Sequence, residues 1–404
     1  MTAPILAAAT FCIAVSAVQI TSIAIAIARL RRNASDKRLF NHPPVSLLRP
    51  LCGIDNYAAE TLRSTFELDY PCYEILFCVA SAKDPALPLV KSLIATYPKA
   101  AVRLLIGDDR VSMNPKLNNV VKGWRAAAHQ WIVIADSNVL MPPDYIQRLF
   151  ASWRDDTGLV ASPPIGSHPQ GFWAEIECAF LNTYQARWQY IVDSFGKGFA
   201  QGKTMLWRRA DLERAGGIAA LGKEVAEDAA ATKIVRDAGL KVRLIDRPLA
   251  QPLGHRGARE VWNRQLRWAR LRRASFLLYF LPEILSGGLL PMTIVAILAK
   301  AFGLPLALCL ASFGTLWYGS EMLLAAAAGW HISPLYPIYG FVRDLILPAL
   351  FVGALRGSDF VWRGNQMQVE RMQPHQMMAK VRPRMNELVT GSRRRLRALR
   401  GRMS

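Results

Sequence analysis

Hydrophobic and polar positions along the 404-residue chain fall into three regimes. The first is residues 3–28, APILAAATFCIAVSAVQITSIAIAIA, with no charged side chain. A bilayer core takes about 20 apolar residues to cross, so this run predicts a membrane-spanning helix. Arg29, Arg31 and Arg32 follow at once, and no basic stretch precedes it. That order argues for an uncleaved signal anchor over residues 1–32, with the arginine end in the cytoplasm.

The second regime runs from 43 to 275. Short apolar stretches, VSLLRPL, YEILFCVA, VRLLIG and WIVIAD, alternate with helical patterns at 84–97 and 117–128. Alternation of this kind predicts an α/β domain with a mostly parallel sheet covered on both faces. Ligands of such sheets bind beyond the carboxyl ends of the strands, so the residues just after each strand carry the interest.

The third regime begins after LRWARLRRASF. Residues 282–302 and 304–328 are two apolar runs expected to cross the membrane, and 335–355 is a third, broken by Pro337, Arg343, Asp344 and Pro348. A full span at 335–355 would put the basic tail at 371–404 outside, against the usual charge asymmetry. A re-entrant or interfacial segment is therefore expected there, with a further span as the alternative; the Arg343–Asp344 pair would face protein or a polar cavity.

Composition sharpens this picture. Apolar residues make up 52% of the chain while the net charge is +20, a combination that fits an integral membrane protein lying against anionic lipid. Nucleic acid is not expected, because no nucleic-acid module is legible and the basic residues crowd beside apolar segments. The six cysteines are scattered without metal-ligand spacing and read as small hydrophobes.

Three acids stand at strand ends or in loops: Asp84 in CVASAKDPA, Asp136 in IADSN and Asp228 in VAEDAAATKIV. Taken singly each has a bland explanation, as a helix cap or a solvated first turn. Many nucleotide-sugar enzymes place Asp-x-Asp where this chain has Asp136-Ser137-Asn138, so that two carboxylates hold a divalent metal against a diphosphate. Here the second acid is an amide. Downstream, RQLRW sets Arg264, Arg267 and Trp268 on one helical stretch; planar guanidinium forks can hold a diphosphate, although a basic helix beside a membrane can also bind lipid headgroups. Lys116 and Asn119 in NPKLNN open a helix after a strand. Asp108 and Asp109 in IGDDR read as a turn, and His255 as a minor metal candidate.

In this order and spacing, Asp84, Asp136, Asp228 and RQLRW resemble the signature of the ceramide glucosyltransferase family of membrane-bound glycosyltransferases. The likeness extends through VSLLRPLCGID, ELDYPCYEILFCV, NPKLNN and AGGIAAL, and resumes at GFVRDLILPALF and VWRG. It implies a GT-A-like nucleotide-sugar-binding domain with one N-terminal and two or three C-terminal membrane segments. It further implies Asp84 beside the base and ribose, Asp136 near the diphosphate and a Mg²⁺ or Mn²⁺ ion, and Asp228 as general base. Arg264, Arg267 and Trp268 would hold the pyrophosphate and shape the acceptor mouth, and Lys116 and Asn119 would bind donor.

The function this implies is inverting transfer of a hexose, glucose foremost, from a UDP-sugar to a membrane-lipid hydroxyl, ceramide foremost, at the inner membrane with the catalytic domain cytoplasmic. The same chemistry on a hopanoid with UDP-N-acetylglucosamine, or on diacylglycerol with UDP-glucose or UDP-galactose, is the alternative. A processive polysaccharide synthase shares the final motif but would need more spans for a channel. A membrane scaffold without activity would leave all three aspartates dispensable.

Overall fold

The apolar stretches form strands whose two faces feed two different cores. In β4 (Trp131–Ala135), Ile132 and Ile134 pack with Leu48, Leu76, Trp124 and Trp207, whereas Val133 and Ala135 pack with Leu47, Tyr145 and Leu206. That alternation is the period-two geometry of a strand, and burial of both faces explains the nearly continuous apolar runs. The computed structural model describes residues 3–31, 42–362 and 365–368; Arg32 and the expected basic tail at 371–404 lie outside the described residues. The chain divides into two units, Met1–Trp262 with Gly287–Leu347, and Asn263–Ser286 with Pro348–Ser404.

In the first unit a seven-stranded sheet has the order β3-β2-β1-β4-β7-β5-β8. Its strands are β1 (Val45–Leu51), β2 (Tyr73–Val79), β3 (Val102–Ile106), β4, β5 (Thr157–Ala161), β7 (Thr204–Arg208) and β8 (Lys241–Leu244). Two further strands, β6 (Pro164–Gln170) and β9 (Leu249–His255), pair in parallel with each other. The parallel sheet expected from the alternation is present with one exception: β7 runs antiparallel to both β4 and β5. A mixed seven-stranded sheet is therefore joined here to several apolar helices.

Among the described residues, three helices are long and apolar enough to cross a membrane: Ala3–Leu30, Leu277–Ala301 and Tyr336–Arg356. This is a multi-pass membrane protein. The helix Leu306–Ala328 has a comparable length but contains Glu321 and is outside that set. The segment at 335–355 forms one continuous helix, Tyr336–Arg356, whose 21 residues span roughly 31 Å at about 1.5 Å each.

The Arg343–Asp344 charges are paired inside protein, as expected of them. Arg343 lies 3.0 Å from Glu321 and 2.8 Å from Asp344, Arg187 reaches Glu321 at 3.6 Å, and Tyr336 donates to Glu321 at 2.6 Å. Gln19 on the N-terminal helix bridges the set, donating to Glu321 and accepting from Arg187. Asp344 also accepts from the Gly288 N–H at 2.7 Å. Arg29, at the end of the expected anchor, turns back onto the domain: it contacts Asp193 at 2.5 Å and donates to the Leu244 carbonyl.

The second unit has its own small core of Ala269, Leu277, Phe280 and Ala354, with Phe280 stacked on Phe351 at 4.7 Å. Arg272 pairs with Glu283 at 2.6 Å, and Arg273 donates to the Leu355 carbonyl. Asp359–Trp362 and Asn365–Gln368 form an antiparallel hairpin.

Candidate active site

Strand order reverses between β1 and β4, because β2 and β3 lie to one side of β1 and β7, β5 and β8 lie beyond β4. Such a reversal opens a crevice at the carboxyl ends of the two central strands. Asp136 is the first residue after β4, and the Cys52–Asn56 loop follows β1. A buried arginine inside β1 fixes this edge: Arg49 donates to the carbonyls of Thr61 at 2.9 Å and Ser137 at 3.1 Å, with Val139 at 3.4 Å. Arg49 therefore holds the Asp136-Ser137-Asn138 turn from below.

Asp136 is not a helix cap. Its amide donates to the Lys203 carbonyl at 3.0 Å, and the next helix, Tyr145–Ala151, has Asp144 at its cap position. The Asp136 carboxylate instead lies between two ammonium groups, Lys116 at 2.7 Å and Lys203 at 3.0 Å. Burial alone would raise its pKa, but the two lysines hold it well below the usual carboxylate range. Lys203 also donates to Asn138 Oδ1 at 3.0 Å.

Lys116 opens the helix Pro115–Ala126, whose first turn is capped by Asn114 accepting from the Lys116 and Leu117 amides. Its ammonium meets Asp136, Glu227 at 2.7 Å and the Gly202 carbonyl at 2.5 Å. Burial would push that ammonium down, yet the carboxylates of Asp136 and Glu227 outweigh it and hold Lys116 above its ordinary pKa. The Asn114 side chain turns the other way and donates to Glu227 Oε2 at 2.7 Å. Glu227 is thus a buried partner of two groups, not the solvated first-turn acid its sequence context suggests.

Asp228 stands beside it at the start of the helix Glu227–Asp237, half-buried, and accepts the Gly202 N–H at 3.1 Å. Burial first, then the negative charge of Glu227, pushes its carboxyl up to about 6, against the opposing pull of Lys116. Gly202 is the meeting point of the set. A Cβ there would stand 2.9 Å from Glu227 Oε1, 3.2 Å from Lys116 Nζ and 3.4 Å from Asp228 Oδ2.

Asp84 accepts from the Gly53 amide at 3.0 Å and the Ala86 amide at 2.9 Å, so it ties the loop after β1 to the one after β2. The same β1 loop reaches the β4 turn through Ser137, which donates to Asp55 at 3.2 Å. Asn119 is buried, and its amide donates to the carbonyls of Leu51 at 3.1 Å and Cys78 at 2.8 Å, clamping the ends of β1 and β2. Asp136, Lys116, Glu227 and Asp228 are brought together, with Asp84 at the neighbouring loop. Arg264, Arg267 and Trp268 lie on the helix Ala258–Ser275 and belong to the second unit. Asp108 and Asp109 pair with Arg110 and Arg125 in an exposed turn, and the His255 carbonyl accepts from Asn56.

Sequence reasoning missed Lys203, Glu227, Gly202 and Arg49. The divalent cation expected at Asp136 meets a poor donor set: the carboxylate oxygens face ammonium groups, and position 138 supplies a neutral amide. Among the described residues, no three His, Cys, Asp or Glu side chains stand together to ligate an ion. The residues present fit ammonium partners, not a divalent ion.

The family model for Glycosyl transferase family 21 matches residues 9–374. Ceramide glucosyltransferase 1 of Caenorhabditis elegans is 27% identical over 339 residues, covering 81% of this chain and 72% of that protein. Ceramide glucosyltransferase 3 of the same organism is 27% identical over 350 residues, 85% of this chain and 76% of that protein. The ceramide glucosyltransferase of Komagataella phaffii is 42% identical over 99 residues, 24% of this chain and 19% of that protein. Among solved structures, the mannosyltransferase PcManGT from Pyrobaculum calidifontis, in complex with GDP-Man and Mn2+, gives a TM-score of 0.46 at 20% identity, covering 85% of this chain and 96% of that one.

Proposed function

The chain belongs to glycosyl transferase family 21, and from that premise we propose that it is an inverting enzyme moving a hexose from a UDP-sugar to the hydroxyl of a membrane lipid, with glucose as the hexose and ceramide as the acceptor. In this reading Asp228 is the general base. An alcohol is a weak nucleophile unless its proton is removed as it attacks, and one carboxylate within hydrogen-bond reach suffices. The acceptor proton passes to an Asp228 oxygen while the acceptor oxygen bonds to the anomeric carbon. The bond from that carbon to the β-phosphate oxygen breaks, and its electron pair leaves with UDP. Attack opposite the leaving group turns an α-linked donor into a β-glycoside.

The observation that carries the reading is the half-buried Asp228 carboxyl, pushed up to about 6 beside Glu227 at the mouth of the strand-end crevice. A base with a pKa near the working pH combines availability with driving force. Lys116 would neutralise the leaving diphosphate, and Asp84 would order the loop against the base and ribose. The family motif adds Arg264 and Arg267 for the pyrophosphate and Trp268 for the acceptor. The domain would work at the cytoplasmic face of the inner membrane, where soluble nucleotide sugar meets lipid headgroups, and its basic surface would favour anionic lipid.

The test is a panel of UDP-glucose, UDP-galactose and UDP-N-acetylglucosamine against ceramide, diacylglycerol and a hopanoid polyol. It uses full-length protein in membranes from a host lacking glycolipids, with products identified by mass. The expected product is ceramide carrying one glucose. Preferred transfer to another lipid would reassign the acceptor, and a long polymer or no transfer in any pairing would overturn the reading.

A further inference from the structure

Positions 136 and 138 are the two from which an Asp-x-Asp site directs two carboxylates at one divalent cation. Here both side chains converge on a single nitrogen: Lys203 Nζ is 3.0 Å from Asp136 Oδ2 and 3.0 Å from Asn138 Oδ1. We propose that the Lys203 ammonium stands in the place of that cation and, with Lys116, faces the donor diphosphate, so that donor binding at this site needs no divalent ion. The inference rests on the UDP-sugar reading above and deepens it.

Charge matching supports it. Two carboxylates suit a divalent ion, and one carboxylate with one amide suits a monovalent ammonium; this is the physical sense of an asparagine at position 138. The four ion-paired groups balance as well, since Lys116 and Lys203 face Asp136 and Glu227. That sum equals the zero net charge of a divalent ion held by two acids, so nothing in the local charge is lost by the exchange. A metal ion at Asp136 would instead have to displace two ammonium groups from one carboxylate.

Topology fixes the lysine where the proposal needs it. β7 is the antiparallel strand in an otherwise parallel sheet, so its beginning lies at the carboxyl end of β4. Thr204 pairs with Ala135, which sets Lys203 opposite Asp136, and the Asp136 amide donates to the Lys203 carbonyl at 3.0 Å. With 18% of its side chain exposed, Lys203 reaches the surface of the crevice.

UDP binding to the full-length protein in nanodiscs tests this by calorimetry, in excess EDTA and in excess MnCl2. Wild type is expected to bind UDP equally in both. Lys203→Met should weaken binding by about 10- to 100-fold in both, the worth of a charge-assisted contact. Lys203→Arg should retain affinity and keeps the experiment readable if the methionine variant fails to fold. Lys203→Met combined with Asn138→Asp restores an Asp-x-Asp pair, and its affinity should return only with Mn²⁺. Wild-type binding that requires Mn²⁺, or unchanged affinity in Lys203→Met, overturns the proposal. Absence of UDP binding in every condition would remove the donor reading itself, and this inference with it.

Discussion

The molecule holds two clusters of paired charge that look alike on paper and differ in what they can do. At the strand ends, Lys116 and Lys203 face Asp136 and Glu227, and Asp228 stands alongside. Between the apolar helices, Arg187 and Arg343 face Glu321 and Asp344. In the first cluster Asp136 is 23% exposed and Lys203 18%. In the second no charged side chain exceeds 1%. A partly open cluster can trade partners with a ligand at modest cost, whereas a sealed one cannot exchange water or ligand without unpacking its helices. Similar charges therefore stay open to exchange in one place and are sealed into the packing in the other.

That contrast can be broken from either side. The largest effect should come from Arg343→Met, which leaves Glu321 and Asp344 short of their shared partner in a dry interior. Removing one member of a buried pair costs about 3–5 kcal/mol, so the yield of folded protein and its thermal midpoint should drop sharply. The fraction that folds should still bind UDP as wild type does; a folded variant of normal stability with lost UDP binding would reverse the two assignments. Gly202→Ala should do the opposite. Its Cβ presses on the ends of flexible side chains, so stability should stay near wild type, while misplacing Asp228 and Lys116 lowers turnover roughly tenfold or more.

A smaller effect separates Glu227 from Asp228. Asp228 must be ionised to accept a proton, so kcat/KM should fall about tenfold per pH unit below its pKa near 6 and level off above it. Because the Glu227 charge helps to raise that pKa, Glu227→Gln should move the acid limb to lower pH. A limb that stays in place would show that Asp228 is not the titrating base.

Much of this was legible in the sequence, and the omissions have a common cause. The strands announce themselves through apolar runs of strand length, and Asp84, Asp136 and Asp228 by stopping or following such patterns. Lys203, in QGKTM, carries no local signal: it matters because β7 runs antiparallel and delivers its first residues to the end of β4, a fact of topology. The one hint was negative, in that Asn138 leaves Asp136 with half the charge a divalent ion wants. Glu227 reads as a solvated helix turn because its partners, Lys116 and Asn114, lie far away in the chain. The helix Tyr336–Arg356 reads as interrupted for the same reason, since Glu321 and Arg187, which neutralise Arg343, cannot be paired with it by inspection. Asn119 shows the converse: a polar residue in a motif-like stretch whose amide clamps two strand ends.

The central claim is that Asp228 removes the acceptor proton in a sugar transfer to lipid. It is tested most directly by comparing wild type and Asp228→Asn, reconstituted at equal folded amounts, for transfer of labelled glucose from UDP-glucose to ceramide. The asparagine variant should bind UDP with little change and transfer sugar about 10²- to 10⁴-fold more slowly, the usual worth of a general base. Wild-type transfer by Asp228→Asn would contradict the account.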